Sequence, residues 1–349
     1  MPTVLWWGRF DAEYSRNRIM RKLLRELGWR ILDFHPALSG LADWEALLKR
    51  LPKPDLVWVP CFRQRDLAAA SRWAKAKHVP LLFDPLISAY DKQVFERKKI
   101  PAESSRAKRL LQKEKALFQR ADILLADTLE HARFFVETLG AAPGRVHVVF
   151  VGAEESLFQP GPGQEKTAGG PPEALFYGSF IPLQGASVIV EAARRYRGPP
   201  LRWTLIGNGP DLETCRQAAL GLAHVSFEPW LDYTALPDRI RSADILLGVF
   251  GDTPKAGRVI PNKVFQALAC GKPVVTRRST SYPEDLARAE DRGLIWVNEG
   301  DPSGLAAVMA ELAGNPDKLH EAGRQARRSF DSYFSESAIK ASLAAALPR

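Results

Sequence analysis

Two doubly wound α/β domains, each a parallel sheet covered by helices on both faces, are the fold that this 349-residue sequence predicts. Three observations carry the prediction. Short apolar runs alternate with longer helical patterns from end to end, the mark of repeated strand–helix units. A stretch rich in Pro and Gly, Gln159 to Pro172, interrupts the alternation once and has no apolar period. A second complete series then follows it.

In the first series strands are expected at Val4–Trp7, Arg30–Phe34, Leu56–Val59, Leu81–Phe83, Ile123–Ala126 and Val146–Val151. Helical patterns such as Ser15–Leu27 and Leu129–Leu139 lie between them. The second series has strands at Ala174–Tyr177, Arg202–Ile206, Val225–Phe227, Ile245–Val249, Pro273–Thr276 and Leu294–Val297. The expected division is a first domain over 1–158, a linker over 159–172, a second domain over 173–333 and a terminal segment over 334–349. In open parallel sheets, ligands bind at the carboxyl ends of the strands, so a cleft between two such domains is the expected site.

Composition narrows the class. Charged residues at 26% and hydrophobic residues at 46% are globular values. Cys61, Cys215 and Cys270 are odd in number and far apart, which predicts a reducing, cytoplasmic setting and no disulfide framework. A strand pattern from Thr3 leaves no room for a signal peptide, and no apolar run approaches the roughly 18 residues of a membrane span. Residues 1–150 hold 27 Lys and Arg against 17 Asp and Glu, a net +10, while the rest of the chain is near neutral. The first half is therefore expected to meet something anionic.

Chemistry concentrates between Leu247 and Thr276. The pattern reads as a strand, a loop with Lys255 and Arg258, then a helix starting near Pro261 and carrying Lys263. Gly271 suits the end of that helix. Free N–H groups and the positive dipole end at a helix start, with added cations, suit a phosphate. Gly8, after the first strand, permits close backbone approach to a ligand, and Arg9, Tyr14 and Arg16 follow it. Asp84, Ser88 and Asp91 follow another strand end. Read alone, Gly207-Asn208-Gly209-Pro210 is a tight turn, since the third glycine of a dinucleotide fingerprint is missing. The six histidines have no metal-ligand spacing and no Asp-x-Asp triplet occurs, so no metal is expected.

Several of these stretches resemble the family-four retaining glycosyltransferases of the GT-B fold. Ala267-Leu268-Ala269-Cys270-Gly271-Lys272-Pro273-Val274-Val275 matches the family's small-residue stretch and Gly-x-Pro-Val-Val. Phe176 to Gly185 is similar to the first strand and loop of its donor domain, and Leu205 to Pro210 to its second glycine turn. Ala121 to Thr128 and Val151-Gly152-Ala153 resemble the last strands of its acceptor domain. The resemblance implies a sugar transferred with retention from a UDP- or GDP-linked donor to a glycan, lipid-linked or cell-envelope acceptor. It needs neither cofactor nor metal, because the leaving phosphate is thought to deprotonate the acceptor. It also implies that the last helix packs back on the first domain.

Carried over residue by residue, the resemblance assigns Arg258, Lys263 and Asp84 to catalysis. Donor binding falls to Gly8, Ser179, Gln184, Gly207, Lys255, Ile260, Pro261, Asn262 and Gln266, and acceptor binding to Arg9, Tyr14 and Arg16. The chain departs from the pattern where the family's glutamate pair would stand, at Arg258 and Gln266, and where its cationic pair would stand, at Ser179 and Gln184. Either the site is dead, leaving a nucleotide-binding or regulatory protein, or Lys255, Arg258 and Lys263 take over the charge. Gln266 can still bond a ribose hydroxyl.

The stretch from Lys92 to Arg120 holds ten cations and three acids interleaved with Phe95, Ile100, Leu110, Leu111 and Phe118. It is either a solvated helix face or a surface for anionic membrane, which would place the protein peripherally on the inner membrane face. Nucleic acid is not the expected partner, because no binding motif accompanies the charge.

Overall fold

The computed structural model describes residues 1–161, 170–290 and 292–348. The expected linker at 159–172 thus lies largely outside the described residues. The chain divides into two compact units, Met1–Val151 with Glu336–Arg349, and Gly152–Ser335. The first division falls earlier than residue 158. Phe158 is buried against Tyr233, whose hydroxyl bonds Glu154, so this segment belongs to unit 2.

Unit 1 contains β1 (Thr3–Trp7), α1 (Ser15–Glu26), β2 (Arg30–Phe34), α2 (Ala42–Leu48), β3 (Leu56–Val59), α3 (Leu67–Lys77) and β4 (Leu81–Phe83). The short α4 (Ala89–Asp91), then α5 (Ser105–Phe118), β5 (Ile123–Ala126), α6 (Leu129–Glu137) and β6 (Val146–Val148) follow. Unit 2 runs through β7 (Glu173–Ser179), α7 (Ala186–Arg195), β8 (Arg202–Asn208), α8 (Leu212–Ala218), β9 (Val225–Glu228), α9 (Leu236–Ser242) and β10 (Ile245–Leu247). It ends with α10 (Asn262–Ala269), β11 (Val274–Arg277), α11 (Glu284–Arg288), β12 (Leu294–Val297), α12 (Pro302–Gly314) and α13 (Pro316–Ser329). Helix α14 (Glu336–Ala346) returns to unit 1.

Both sheets are parallel, in the orders β2-β1-β3-β4-β5-β6 and β12-β11-β10-β7-β8-β9. The order in which the chain adds strands reverses between β1 and β3 in unit 1, and between β7 and β10 in unit 2. These switch points open the crevices where such sheets hold ligands.

The cores follow the two-residue period of the strands. Trp6 joins Trp58 on one face of sheet 1, with ring centroids 4.8 Å apart, while Trp7 packs on Phe34 and Trp73 on the other. Ile19, Met20, Leu23 and Leu24 of α1 line the Trp6 face, as do Ile339 and Leu343 of α14. Full burial of a large apolar side chain contributes about 1.5–3 kcal/mol, so α14 is an integral part of unit 1.

The apolar residues of the basic stretch 92–120 face inward. Phe118 is buried between Phe83 and Phe135, and Phe95, Leu110 and Leu111 pack against the same cluster. Phe118 is core and the other three are half-buried against it, which leaves little of their surface for a bilayer. The cations between them, including Lys98, Lys99, Lys108 and Arg109, are exposed.

Candidate functional site in each unit

In unit 2 the switch point is occupied by a lysine. Pro261, in extended conformation, caps α10, where its missing N–H costs nothing. Lys263, in the first turn, is buried and reaches back under the sheet ends. Its Nζ lies 3.7 Å from the centroid of Phe176 and donates to the carbonyl oxygen of Gly248 at 3.2 Å. Gly178 closes the seat. Its φ is +148°, and a Cβ there would stand 3.3 Å from the amine. Burial holds the amine well below the ordinary lysine range. A cation–π contact and one carbonyl offset only part of an ammonium's lost hydration and supply no opposite charge, so a phosphate is a better partner than this seat alone.

The loop from Gly251 to Pro261 is fixed from beneath. Arg277, at the end of β11, donates to the carbonyl of Gly251 at 2.6 Å and pairs with Glu299. Ser279 and Ser281 both donate to the carbonyl of Gly257, at 2.6 and 2.8 Å. Within the loop Lys255 is buried and Arg258 half-buried, while Ile260 is buried. Sequence reasoning missed Arg277 and Phe176. Their signal is positional: an arginine at the end of β11, and an aromatic two residues before Gly178 on the central strand.

The other expected donor residues divide. Ser179 is exposed at the end of β7. Gln184 is half-buried, and its Oε1 has no hydrogen-bond partner among the described residues. Its carbonyl accepts from Phe250 N at 3.1 Å, and Gly185 lies so close to Gly251 that a Cβ would collide with it. Gln266 is buried and its Oε1 accepts from the Tyr177 hydroxyl at 2.7 Å. Gly207, expected to border a ligand, has another task. At φ +142° it lets β8 meet β7, since a Cβ would overlap the Gly178 carbonyl oxygen. It is a packing glycine.

Unit 1 places Gly8 at its own switch point. With φ +128°, a Cβ there would stand 3.0 Å from Asp66 Oδ2 and 3.1 Å from Arg63 Nε. Arg9 is exposed, and Tyr14 is half-buried with its ring on Phe62. Arg16 and Asp84 require correction. Both are buried, and Arg16 Nε donates to the Asp84 oxygens at 2.8 and 3.0 Å. Arg16 Nη1 also donates to the carbonyls of Val149 and Phe150. Burial pushes the Asp84 carboxyl up, opposed by the guanidinium. The two form a buried ion pair that ties α1, β4 and the segment after β6 together, while Arg16 Nη2 has no hydrogen-bond partner among the described residues.

Beside it lies a second buried pair. His131 Nδ1 is 2.5 Å from Asp127 Oδ1, with its Nε2 3.9 Å from Asp91. Burial works against the Asp127 carboxylate, but His131 and Arg16 hold it below the usual range. Ser88 and Glu114 bond each other beneath α4. A cavity of about 710 Å³ opens above them, with Phe62, Arg65, Leu110, Lys113 and Leu117 in its wall. Phe62 has φ +64°, a strained setting for a bulky residue. Among the described residues, no group of three or more His, Cys, Asp or Glu is placed to hold a metal ion.

Comparison with known proteins fits this geometry. The family model described as "Glycosyl transferases group 1" matches residues 171–315, and that described as "Glycosyl transferase 4-like domain" matches residues 7–152. A D-inositol 3-phosphate glycosyltransferase of Thermobispora bispora is 32% identical over 227 residues, covering 59% of this chain and 51% of that protein. D-inositol 3-phosphate glycosyltransferase 2 of Catenulispora acidiphila is 31% identical over 232 residues, covering 61% and 53%. The chain thus spans about half the length of these curated relatives. Among solved structures, Anabaena HepE in complex with UDP superposes with TM-score 0.74 at 14% identity, over 99% of both chains. Sucrose-phosphate synthase of Thermosynechococcus elongatus gives TM-score 0.74 at 17% identity, over 99% of this chain and 97% of that one. The fold is GT-B.

Proposed function

Because this chain belongs to the group 1 glycosyl transferases, we propose that it moves a sugar from a nucleotide-diphosphate donor to a glycan, lipid-linked or cell-envelope acceptor. The donor is UDP- or GDP-linked, transfer retains anomeric configuration, and neither metal nor cofactor takes part. Unit 2 holds the donor and unit 1 the acceptor. The reaction runs in the cytoplasm, with the protein peripheral to the inner membrane face.

The observation that carries this reading is Lys263, a buried amine at the switch point of unit 2 with a single carbonyl and a ring for company. As the sugar–phosphate bond breaks, charge grows on the leaving diphosphate. A fixed cation and the N–H groups at the start of α10 stabilise that charge, more strongly in a buried setting than in water. Arg258 and Lys255, in the loop pinned by Arg277, lie next in the chain to add charge. Gln266 keeps its amide group for a ribose hydroxyl while its carbonyl oxygen holds Tyr177. The cavity beside Phe62, with Arg65 and Lys113 in its wall, suits an acceptor that carries an anionic group.

Thermal shift with UDP, GDP and their sugars, followed by transfer and hydrolysis assays on the stabilising donor, tests the reading. Ligand at 100 times its Kd stabilises the native state by about 2.7 kcal/mol. Stabilisation with turnover is expected. Stabilisation without transfer or hydrolysis supports the regulatory reading, which the neutral Gln266 and cationic Arg258 favour over the family's glutamates. No response to any nucleotide sinks both.

A further inference from the structure

Helix α2 is built inside out. Ala42 and Ala46, its small residues, are buried against α3 in the unit 1 core. The large apolar residues point to solvent. Trp44 is 64% exposed, Leu48 83%, Leu41 56% and Leu47 48%, and Leu38, just before the helix, is 60% exposed. At helical spacing Leu41, Trp44, Leu47 and Leu48 share one face. These five are most of the large apolar side chains that unit 1 leaves exposed among its described residues. A stable monomer scatters such residues singly, and a contiguous set marks an interaction surface.

Charge indicates what covers the face. The acids of the segment are occupied: Asp43 pairs with Arg72 at 2.7 Å, and Glu45 with Lys49 at 2.8 Å and with the Ala37 N–H at 2.7 Å. Arg50 and Lys53 follow the helix at its carboxyl end, both exposed, beside Lys49, whose amine pairs with Glu45. They sit on the half of the sequence that carries the net +10. A second copy of this chain would bring a like-charged rim against this one, whereas an acidic surface would be attracted by it. Exposed Trp and Leu on a short helix, rimmed by cations, have the chemistry of a helix lying in a lipid headgroup layer.

We propose that the exposed face of α2, with Leu38 before it and Lys49, Arg50 and Lys53 after it, seats unit 1 on an anionic bilayer. The apolar side chains enter the headgroup layer and the cations meet lipid phosphates. This surface gives a place to the peripheral membrane setting proposed above and rests on that part of the reading, whereas donor binding and sugar transfer do not depend on it and would stand if it failed. It differs in place from the basic stretch around α5, whose apolar residues pack against the unit 1 core.

The test is co-sedimentation of the full chain with vesicles of phosphatidylcholine alone, or with about 30% phosphatidylglycerol, over a salt series. The full chain is expected to bind the acidic vesicles, to release them as salt rises and to ignore the neutral ones. The doubly substituted Trp44→Ser, Leu48→Ser variant, altered only at exposed positions, is expected to lose at least about tenfold in partition with an unchanged melting curve. Replacing Lys98, Lys99, Lys108 and Arg109 by Gln should change partition less than threefold. Three results overturn the proposal. They are no binding to acidic vesicles at low salt, unchanged binding of the double variant, and a dimer in lipid-free solution that the double variant dissociates. The last would make the face a contact between copies of the chain.

Discussion

Lys263→Met tests the donor site most directly, because stability and binding should part company. In the unliganded protein the ammonium has a ring face at 3.7 Å and one carbonyl at 3.2 Å. A desolvated cation–π contact is worth about 2 kcal/mol and a charged hydrogen bond about 1.5–3. Against these stands a desolvation cost of several kcal/mol for a buried ion. The contacts offset much of that cost but not all of it, and the remainder is small. Methionine fills similar volume and keeps contact with Phe176. The variant is therefore expected to melt within about 2 kcal/mol of the parent, on either side. Donor binding has no such compensation. Losing a charge-assisted bond to the diphosphate costs about 1.5–3 kcal/mol, or roughly 10- to 150-fold in Kd.

The pH dependence sharpens the test. Burial lowers the amine's pKa in the folded state, so the unfolded chain binds the additional proton. The penalty for burying the charge is present at low pH and is relieved as pH rises towards the unfolded value of about 10.4. Any stability advantage of Lys263→Met should accordingly shrink as pH rises. A diphosphate beside the amine favours its charged form, so binding at alkaline pH should draw in a proton. Calorimetry of UDP or GDP binding in buffers of different ionisation heat reads this directly. Enthalpies should diverge for the parent and coincide for the variant. Parent-like affinity in Lys263→Met would refute the argument, as would its collapse as a folded protein.

Three further changes probe the surroundings. Gly178→Ala should weaken nucleotide binding about as Lys263→Met does and cost more than about 1 kcal/mol of stability, because its φ of +148° and the 3.3 Å approach to Nζ both exclude a side chain; parent-like calorimetry and melting would exclude this seat. Asp84→Asn should cost about 3–5 kcal/mol in denaturant unfolding, since it strands the buried Arg16 guanidinium without its counter-ion; lost turnover at unchanged stability would instead restore Asp84 to catalysis. Gln266→Glu should hold donor at least as well and raise turnover, since a carboxylate also accepts from the Tyr177 hydroxyl; a large loss of donor affinity would show that the amide is specifically needed.

The fold was legible because parallel strands covered on both faces read as unbroken apolar runs. β2, β3, β4, β5 and β12 have their expected bounds, and β10, expected to reach Val249, ends at Leu247 although Gly248 N and Val249 O still bond the backbone of Val275 and Arg277. Strand order was not legible. Nothing within Thr3–Trp7 says that its neighbours are β2 and β3, since pairing is settled by crossovers distant in sequence. The switch points, and hence the place of Lys263, needed the coordinates.

Charged residues at strand ends were the hardest to read, because one position serves two physical tasks. Arg16, Asp84 and Lys263 all stand near the carboxyl ends of strands, and sequence alone treats them alike. Burial separates them by their partners. Arg16 has a carboxylate and two carbonyls, and Asp84 has a guanidinium, so each compensates the other and the pair holds the scaffold. Among the described residues Lys263 has no carboxylate in hydrogen-bond reach; its seat is a ring and a single carbonyl. A buried charge matched by an opposite charge explains itself as structure. One whose compensation is partial keeps affinity for a ligand that completes it, and a diphosphate at the start of α10 has the charge to do so.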